Sequence, residues 1–220
     1  MEAGKPKPFD QGVQVFPPRP KITIPPGDLD FYEQSGLWVA QPKYNGSRIG
    51  VHVKDGVVTV WDRHGGHFRS FSLSSYIRNE ILSLPGLDRG IEYWLDGELL
   101  IKTSAKDTKN KIIFFDVLKK DRYLFLRPNQ LARLEILDDI CGHPRGLDPW
   151  REMGYIISDN LLMAPTFEKD FSKLFHRALG DEVEGLVLRK KDSSLDNFGS
   201  KQYEASWLVR CRKPHKNYDF

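Results

Sequence analysis

The chain has 220 residues, 40% apolar and 29% charged, which is enough for one sizeable core and too little for two comfortable domains. A formal net charge of +3 leaves any attraction to a polyanion to local patches. Two cysteines, Cys141 and Cys211, exclude a disulfide framework or a zinc cluster. The opening MEAGKPKPF lacks the apolar run of a secretory signal, and no stretch reaches the roughly 20 apolar residues that span a bilayer, so a soluble protein of a reducing compartment is expected.

In chain order, Pro6, Pro8, Pro17, Pro18, Pro20, Pro25 and Pro26 disfavour a helix, and residues 1–30 are expected as an extended arm lying over the body. From Leu37 the pattern turns to strands: WVAQPK, SRIGVHVK and VVTVWDR, the last two joined by Asp55-Gly56, a strong hairpin signal. Residues 72–84 have helical apolar spacing with a serine start, and 94–101 and 111–118 again read as strands. Pro128 opens a helix to about Ile140, and a second helix over about 168–179 ends at a Gly180 cap. Strands follow at about 183–189 and 205–212. Strands adjacent in sequence with helices scattered among them predict an α+β domain, residues 31–220, built on antiparallel sheets.

The residues that carry chemistry begin with Pro42-Lys43-Tyr44-Asn45-Gly46-Ser47-Arg48, a lysine at a strand end followed by a glycine that lets backbone approach a ligand. A lysine amine is a nucleophile only once its proton has gone, which burial or neighbouring cations favour. Taken alone, the stretch reads first as a surface lysine beside a hairpin. Glu98 and Glu184 are hard oxygen ligands suited to Mg²⁺ or a ribose hydroxyl, and alone they are also ordinary strand-end carboxylates. Phe115 sits in IIFFDVL, apolar on both faces of a strand, and taken alone reads first as core; only its place directly before Asp116 makes it a stacking candidate. Arg210 and Arg212 are two apart, so on a strand both point to one face, where they are able to grip a phosphate.

The first stretch resembles the K-x-D-G-x-R signature shared by DNA ligases, RNA ligases and mRNA-capping enzymes, and further motifs follow in that family's order. Trp61-Asp62-Arg63-His64-Gly65-Gly66 resembles the second element, Trp94-Leu95-Asp96-Gly97-Glu98-Leu99 the L-D-G-E-L element, and Ile113-Phe114-Phe115-Asp116-Val117-Leu118 the strand whose aromatic residue stacks on the base. Glu184-Gly185-Leu186-Val187 resembles the E-G-[ILV]-[ILV] element, and Trp207 to Lys213 the last strand, normally K-x-K after a tryptophan.

The resemblance implies that Lys43 takes AMP from ATP, with Arg210 and Arg212 as catalytic cations. It implies that Gln41, Asn45, Arg48, Glu98, Phe115 and Lys213 contact the nucleotide, and that Glu98 and Glu184 hold Mg²⁺ or Mn²⁺. Arg63, Arg69, Arg189, Lys190 and Lys191 are the nucleic-acid candidates. His64, His67, His143 and His176 are not required, because positioning and charge neutralisation supply most of such phosphate chemistry.

Two departures stand out. Asn45 replaces the motif aspartate, and the chain ends seven residues beyond Lys213, leaving no room for the oligonucleotide-binding barrel that generally follows. The expectation is therefore a nucleotidyltransferase domain without that barrel, acting as a monomeric ATP-dependent ligase on nicked duplex nucleic acid. DNA is placed ahead of RNA or mixed DNA–RNA ends, and the cytoplasm, nucleoid or phage-infected cell is the expected setting. A GTP-using capping guanylyltransferase and a non-catalytic nucleic-acid-binding relative are the alternatives.

Overall fold

In a computed structural model the described residues are 15–68, 73–100, 110–121, 123–124, 128–146, 153–177, 183–195 and 203–213. Among the described residues, eleven strands form two sheets. The smaller has the order β1-β11-β10-β2, made of Arg19–Ile24, Glu204–Arg212, Val183–Lys190 and Trp38–Tyr44. The larger has the order β4-β3-β5-β6-β9-β8, made of Val57–Asp62, Ser47–Lys54, Tyr93–Leu100, Lys111–Lys120, Leu161–Met163 and Tyr155–Ile156, with β7 (Tyr123–Leu124) pairing β6. Pairing is antiparallel except for β1 with β11 and β6 with β9.

Local chemistry explains these elements. Asp55 (φ 50°) and Gly56 (φ 74°) both adopt the positive φ that a tight hairpin needs, and they join β3 to β4. Pro42 is tolerated inside β2 because β2 is an edge strand of the smaller sheet, where a missing N–H breaks no ladder. α2 (Ser75–Leu82) is capped by Ser74, whose hydroxyl accepts from the Ile77 N–H at 3.2 Å. α3 (Gln130–Ile140) is capped by Asn129 rather than opened directly by Pro128, the amide oxygen accepting from the Ala132 N–H at 3.0 Å. The described part of α4 runs Phe171–Arg177, beginning three residues later than expected, and the anticipated end at Gly180 lies outside the described residues.

The proline-rich stretch is not only an arm over the body. Arg19–Ile24 is extended as expected but is built into the smaller sheet, in parallel with β11. A 3₁₀ turn, Pro26–Asp28, then leads into α1, Leu29–Gln34. The prolines flank the run Lys21-Ile22-Thr23-Ile24, which keeps its N–H groups, and the pairing slips between Pro20 and Ile22.

Each sheet has one apolar face and one groove face. Ala40, Leu186, Leu188, Val209 and Cys211 pack with Leu29 of α1 and with Phe171, Leu174 and Phe175 of α4. Ile49, Val51, Leu95 and Leu99 pack with Ile77 and Ile81 of α2 and Leu137 and Ile140 of α3. Burying each such Leu, Ile or Phe contributes about 1.5–3 kcal/mol. Strand alternation then turns the opposite residues, Gln41, Lys43, Arg210 and Arg212 on one sheet and Arg48 and Glu98 on the other, toward a shared groove. Both cysteines are free, and burial pushes each thiol up to about 12. Among the described residues no helix is long and apolar enough to cross a membrane.

Candidate active site

The groove has a volume of about 550 Å³, within the range of small-molecule sites. At one end Gly185 is the register partner of Lys43 on β2 and of Arg212 on β11. Between Val183 and Gly185 the pairing slips by one residue, so Glu184 is the extra residue of a β-bulge. The bulge turns the Glu184 carboxylate toward Lys43, with which it forms an ion pair, and leaves it 3.6 Å from Arg212 Nε. Gly185 has φ 145°, and a Cβ there would meet the Cys211 carbonyl oxygen at 2.1 Å. Only glycine fits that backbone.

A second bulge shapes the facing sheet. Asp96 pairs with Asp116 and Gly97 with Phe114, so Phe115 is the unpaired residue between them and its side chain lines the groove. The sequence left its role open between core and base platform. The structure gives it both surroundings, a buried ring packed with Tyr44, Leu100 and Ile113 that also borders the groove. The guanidinium carbons of Arg48 and Arg189 lie 5.5 and 5.2 Å from its ring centroid.

Arg48 is held from two sides. Its Nε donates to Asp96 Oδ1 at 2.9 Å and its Nη2 pairs with Oδ2, while Nη1 donates to the Pro18 carbonyl at 2.6 Å. Glu98, partly buried on β5, accepts from the Gly46 N–H at 3.2 Å. Burial pushes its carboxyl up to about 7, against the opposing pull of Lys43 and Arg48. Gln41 is buried; its Nε2 donates to the Phe115 carbonyl at 3.3 Å and to Thr166 Oγ1 at 3.1 Å, and its Oε1 has no partner among the described residues. Arg210 donates from Nε to Thr23 Oγ1 at 2.7 Å.

The groove therefore gathers Gln41, Lys43, Arg48, Arg63, Glu98, Phe115, Glu184, Arg189, Arg210 and Arg212 of the expected residues. Asn45 is exposed in the β2–β3 turn and does not line it. Lys213 does not line it either, although its N–H donates to the Glu184 carbonyl at 2.8 Å and so closes the bulge. Lys190 pairs with Asp192 and Lys191 with Glu168, both away from the groove. Arg69 lies outside the described residues.

Arg189 corrects the sequence expectation. It is 3% exposed, with Nη1 donating to Asp116 Oδ2 at 3.0 Å, so it has no outer surface to offer a duplex. Asp116 in turn is gripped by the buried Arg133 at 3.0 and 3.3 Å. Burial alone would raise the Asp116 carboxyl, but Arg133 and Arg189 hold it below the usual carboxylate range.

Sequence reasoning missed Val187 and Leu208, apolar groove residues two before Arg189 and two before Arg210, which strand alternation from Lys43's partners would have found. It also missed Pro17, Arg19 and Pro20, for which the arm assignment left no signal. Among the described residues no group of three or more His, Cys, Asp or Glu is arranged to hold a metal. Glu98 and Glu184 still fit Mg²⁺, which is commonly held by one or two carboxylates with substrate phosphates completing its shell.

The two-sheet fold around this groove is shared with solved structures. No protein-family model matches the sequence, and no curated protein matches it. Among solved structures, a mycobacterial DNA ligase D complexed with ATP and MES superposes with a TM-score of 0.60 at 16% identity, over 90% of this chain and 60% of that one. The ligase domain of M. tuberculosis LigD gives 0.56 at 18%, over 87% and 58%. The ATP-dependent DNA ligase of bacteriophage T7 in complex with ATP gives 0.54 at 12%, over 92% and 69%. The chain thus spans about three fifths of the length of the first two. In particular, it has the fold of the nucleotidyltransferase domain of ATP-dependent DNA ligases.

Proposed function

We propose that the protein is an ATP-dependent polynucleotide ligase that carries AMP on Lys43. One observation carries the reading: the Lys43 ammonium meets Glu184 on the groove wall, and Arg212 is two strands away across Gly185. A phosphate seated there meets a nucleophile and cations together, the arrangement that phosphoryl and nucleotidyl transfer requires.

In the first step the Lys43 amine, once deprotonated, attacks the α-phosphorus of ATP. A P–N bond forms, the bond to the bridging oxygen breaks, and pyrophosphate leaves with its electron pair. Arg210 and Arg212 offset the charge that develops on the phosphoryl oxygens. AMP then passes from Lys43 to a 5′-phosphate, and a 3′-hydroxyl displaces AMP to close the backbone. Glu98 and Glu184 would hold Mg²⁺ or Mn²⁺, which supplies charge neutralisation on the phosphates when bound. Phe115, with Val187 and Leu208 on the facing sheet, would flank the base.

The unpartnered Oε1 of Gln41 favours ATP over GTP. Its amide is oriented by the Phe115 carbonyl, which only accepts, so Oε1 presents an acceptor that suits an amino group and repels a carbonyl. Nicked duplex DNA is the proposed substrate, ahead of RNA or mixed ends, with Arg63 at the groove mouth as a phosphate contact. Incubation with labelled ATP or GTP, followed by chase onto a nicked duplex, tests the whole sequence. Transfer of label from protein to a 5′-phosphate is the expected result, and stable GMP labelling would favour a capping enzyme.

A further inference from the structure

β1 is an edge strand of the smaller sheet, and Thr23 is an exposed residue on it that does not line the groove. A threonine there is first of all a strand former, since its β-branched side chain suits an extended backbone and valine would serve as well. What valine lacks is the hydroxyl, and the hydroxyl is used. Thr23 Oγ1 accepts from Arg210 Nε at 2.7 Å, across 187 positions of sequence. The pairing of β1 with β11 sets Thr23 directly beside Arg210, so the two side chains stand on one face, and β10 places Val187 on the other side of Arg210.

A guanidinium is planar, so fixing Nε fixes the plane in which both terminal nitrogens lie. An arginine on a strand that lacks such an anchor samples many rotamers, and a ligand that needs one of them bears the cost of ordering it. The anchor is also uncharged. Arg48 and Arg212 lie beside carboxylates, Asp96 and Glu184, whose negative charge offsets part of what those cations offer a phosphate. Thr23 directs Arg210 and offsets none of its charge. The stretch just before β1 acts alike on the facing sheet, where the Pro18 carbonyl accepts from Arg48 Nη1 at 2.6 Å. One N-terminal segment thus supplies a neutral oxygen to a groove arginine of each sheet.

We infer that Thr23 is a positioning residue for nucleotidyl transfer: its hydroxyl holds Arg210 in the orientation that meets the phosphate at Lys43, and takes no part in the chemistry itself. The inference rests on the proposed attack of Lys43 on ATP. It places a determinant of that step outside the groove, on the edge strand, where preorganising a cation before the charge develops is what favours the transition state.

Single-turnover labelling of Lys43 with ATP and Mg²⁺ tests this in the full chain. Thr23→Val removes the hydroxyl at nearly constant shape and should slow labelling by about fivefold or more, with the denaturant midpoint unchanged. Thr23→Ala should do the same, and it carries the test if valine disturbs the strand. Thr23→Ser keeps the oxygen and should return the rate to within about twofold of the parent. Added to Arg210→Ala, Thr23→Val should cost less than about twofold, because the group it orients is gone. Parental rates in Thr23→Val and Thr23→Ala would overturn the inference, and so would equal slowing with and without Arg210, the result that a merely structural threonine gives. In both of those cases the parent still takes the label, so the ligase reading stands. A parent that takes no label overturns that reading and this inference together.

Discussion

Lys43 and Arg212, 169 positions apart in sequence, are both register partners of Gly185, one from each neighbouring strand. The strand between them carries the bulge that turns Glu184 toward Lys43. The Lys43 end of the groove therefore depends on the backbone of a glycine that brings no side chain to it.

Gly185→Ala should be costly. Its Cβ would meet the Cys211 carbonyl oxygen at 2.1 Å from a φ of 145°, so β10 and β11 must part locally. A loss of about 2 kcal/mol or more is expected in chemical denaturation, with slower lysine labelling as Glu184 leaves its place. A variant as stable and active as the parent would show that the bulge does not set the site.

Arg133→Met should destabilise the protein by about 3–5 kcal/mol, because it strips Asp116 of its two-point partner while leaving the carboxylate fully buried. Denaturant midpoints measure this. A change of under about 1 kcal/mol would mean that Arg189 alone is able to hold Asp116.

Glu98 predicts a pH dependence. Burial moves its carboxyl from 4.5 up to about 7, so the protonated form is the one folding favours. Its stabilising share is complete below about pH 4.5 and is lost as pH rises through about 7. Glu98→Gln keeps an acceptor for the Gly46 N–H and removes the titration. The parent-minus-variant unfolding free energy of the nucleotide-free protein should therefore fall across that window, and a flat difference would contradict the raised carboxyl.

Arg210→Ala and Arg212→Ala should each slow single-turnover lysine labelling by about tenfold or more, with lysine restoring only part of the rate where the contact is bidentate. Parental rates in both alanine variants would reduce the pair to solvated strand residues.

Much of this site was legible because strand alternation and short motifs are local. Arg210 and Arg212, two apart, do share the groove face, and the Lys43 and Glu184 stretches do converge. Bulges were not legible: a single extra residue at Phe115 or Glu184 leaves no mark in a pattern whose period is two. Arg189 was grouped with Lys190 and Lys191 as one basic run, yet alternation sends Arg189 inward to Asp116 while Lys190 meets Asp192 and Lys191 meets Glu168. The buried carboxylate that explains it, Asp116, lies 73 residues away. β1 was hidden because its flanking prolines outweighed a four-residue run, and a parallel partner nearly 190 residues away decided the matter.

The central claim is that Lys43 forms a covalent bond to AMP, and intact-mass spectrometry with peptide mapping tests it most directly. Purified protein incubated with ATP and Mg²⁺ should gain the mass of one adenylate, mapped to Lys43, and lose it on addition of pyrophosphate. Lys43→Ala protein, folded by circular dichroism, should gain nothing, since a partly exposed strand-end lysine contributes little to the core. An adduct that persists in folded Lys43→Ala protein, or the absence of any adduct in the parent, would contradict the account.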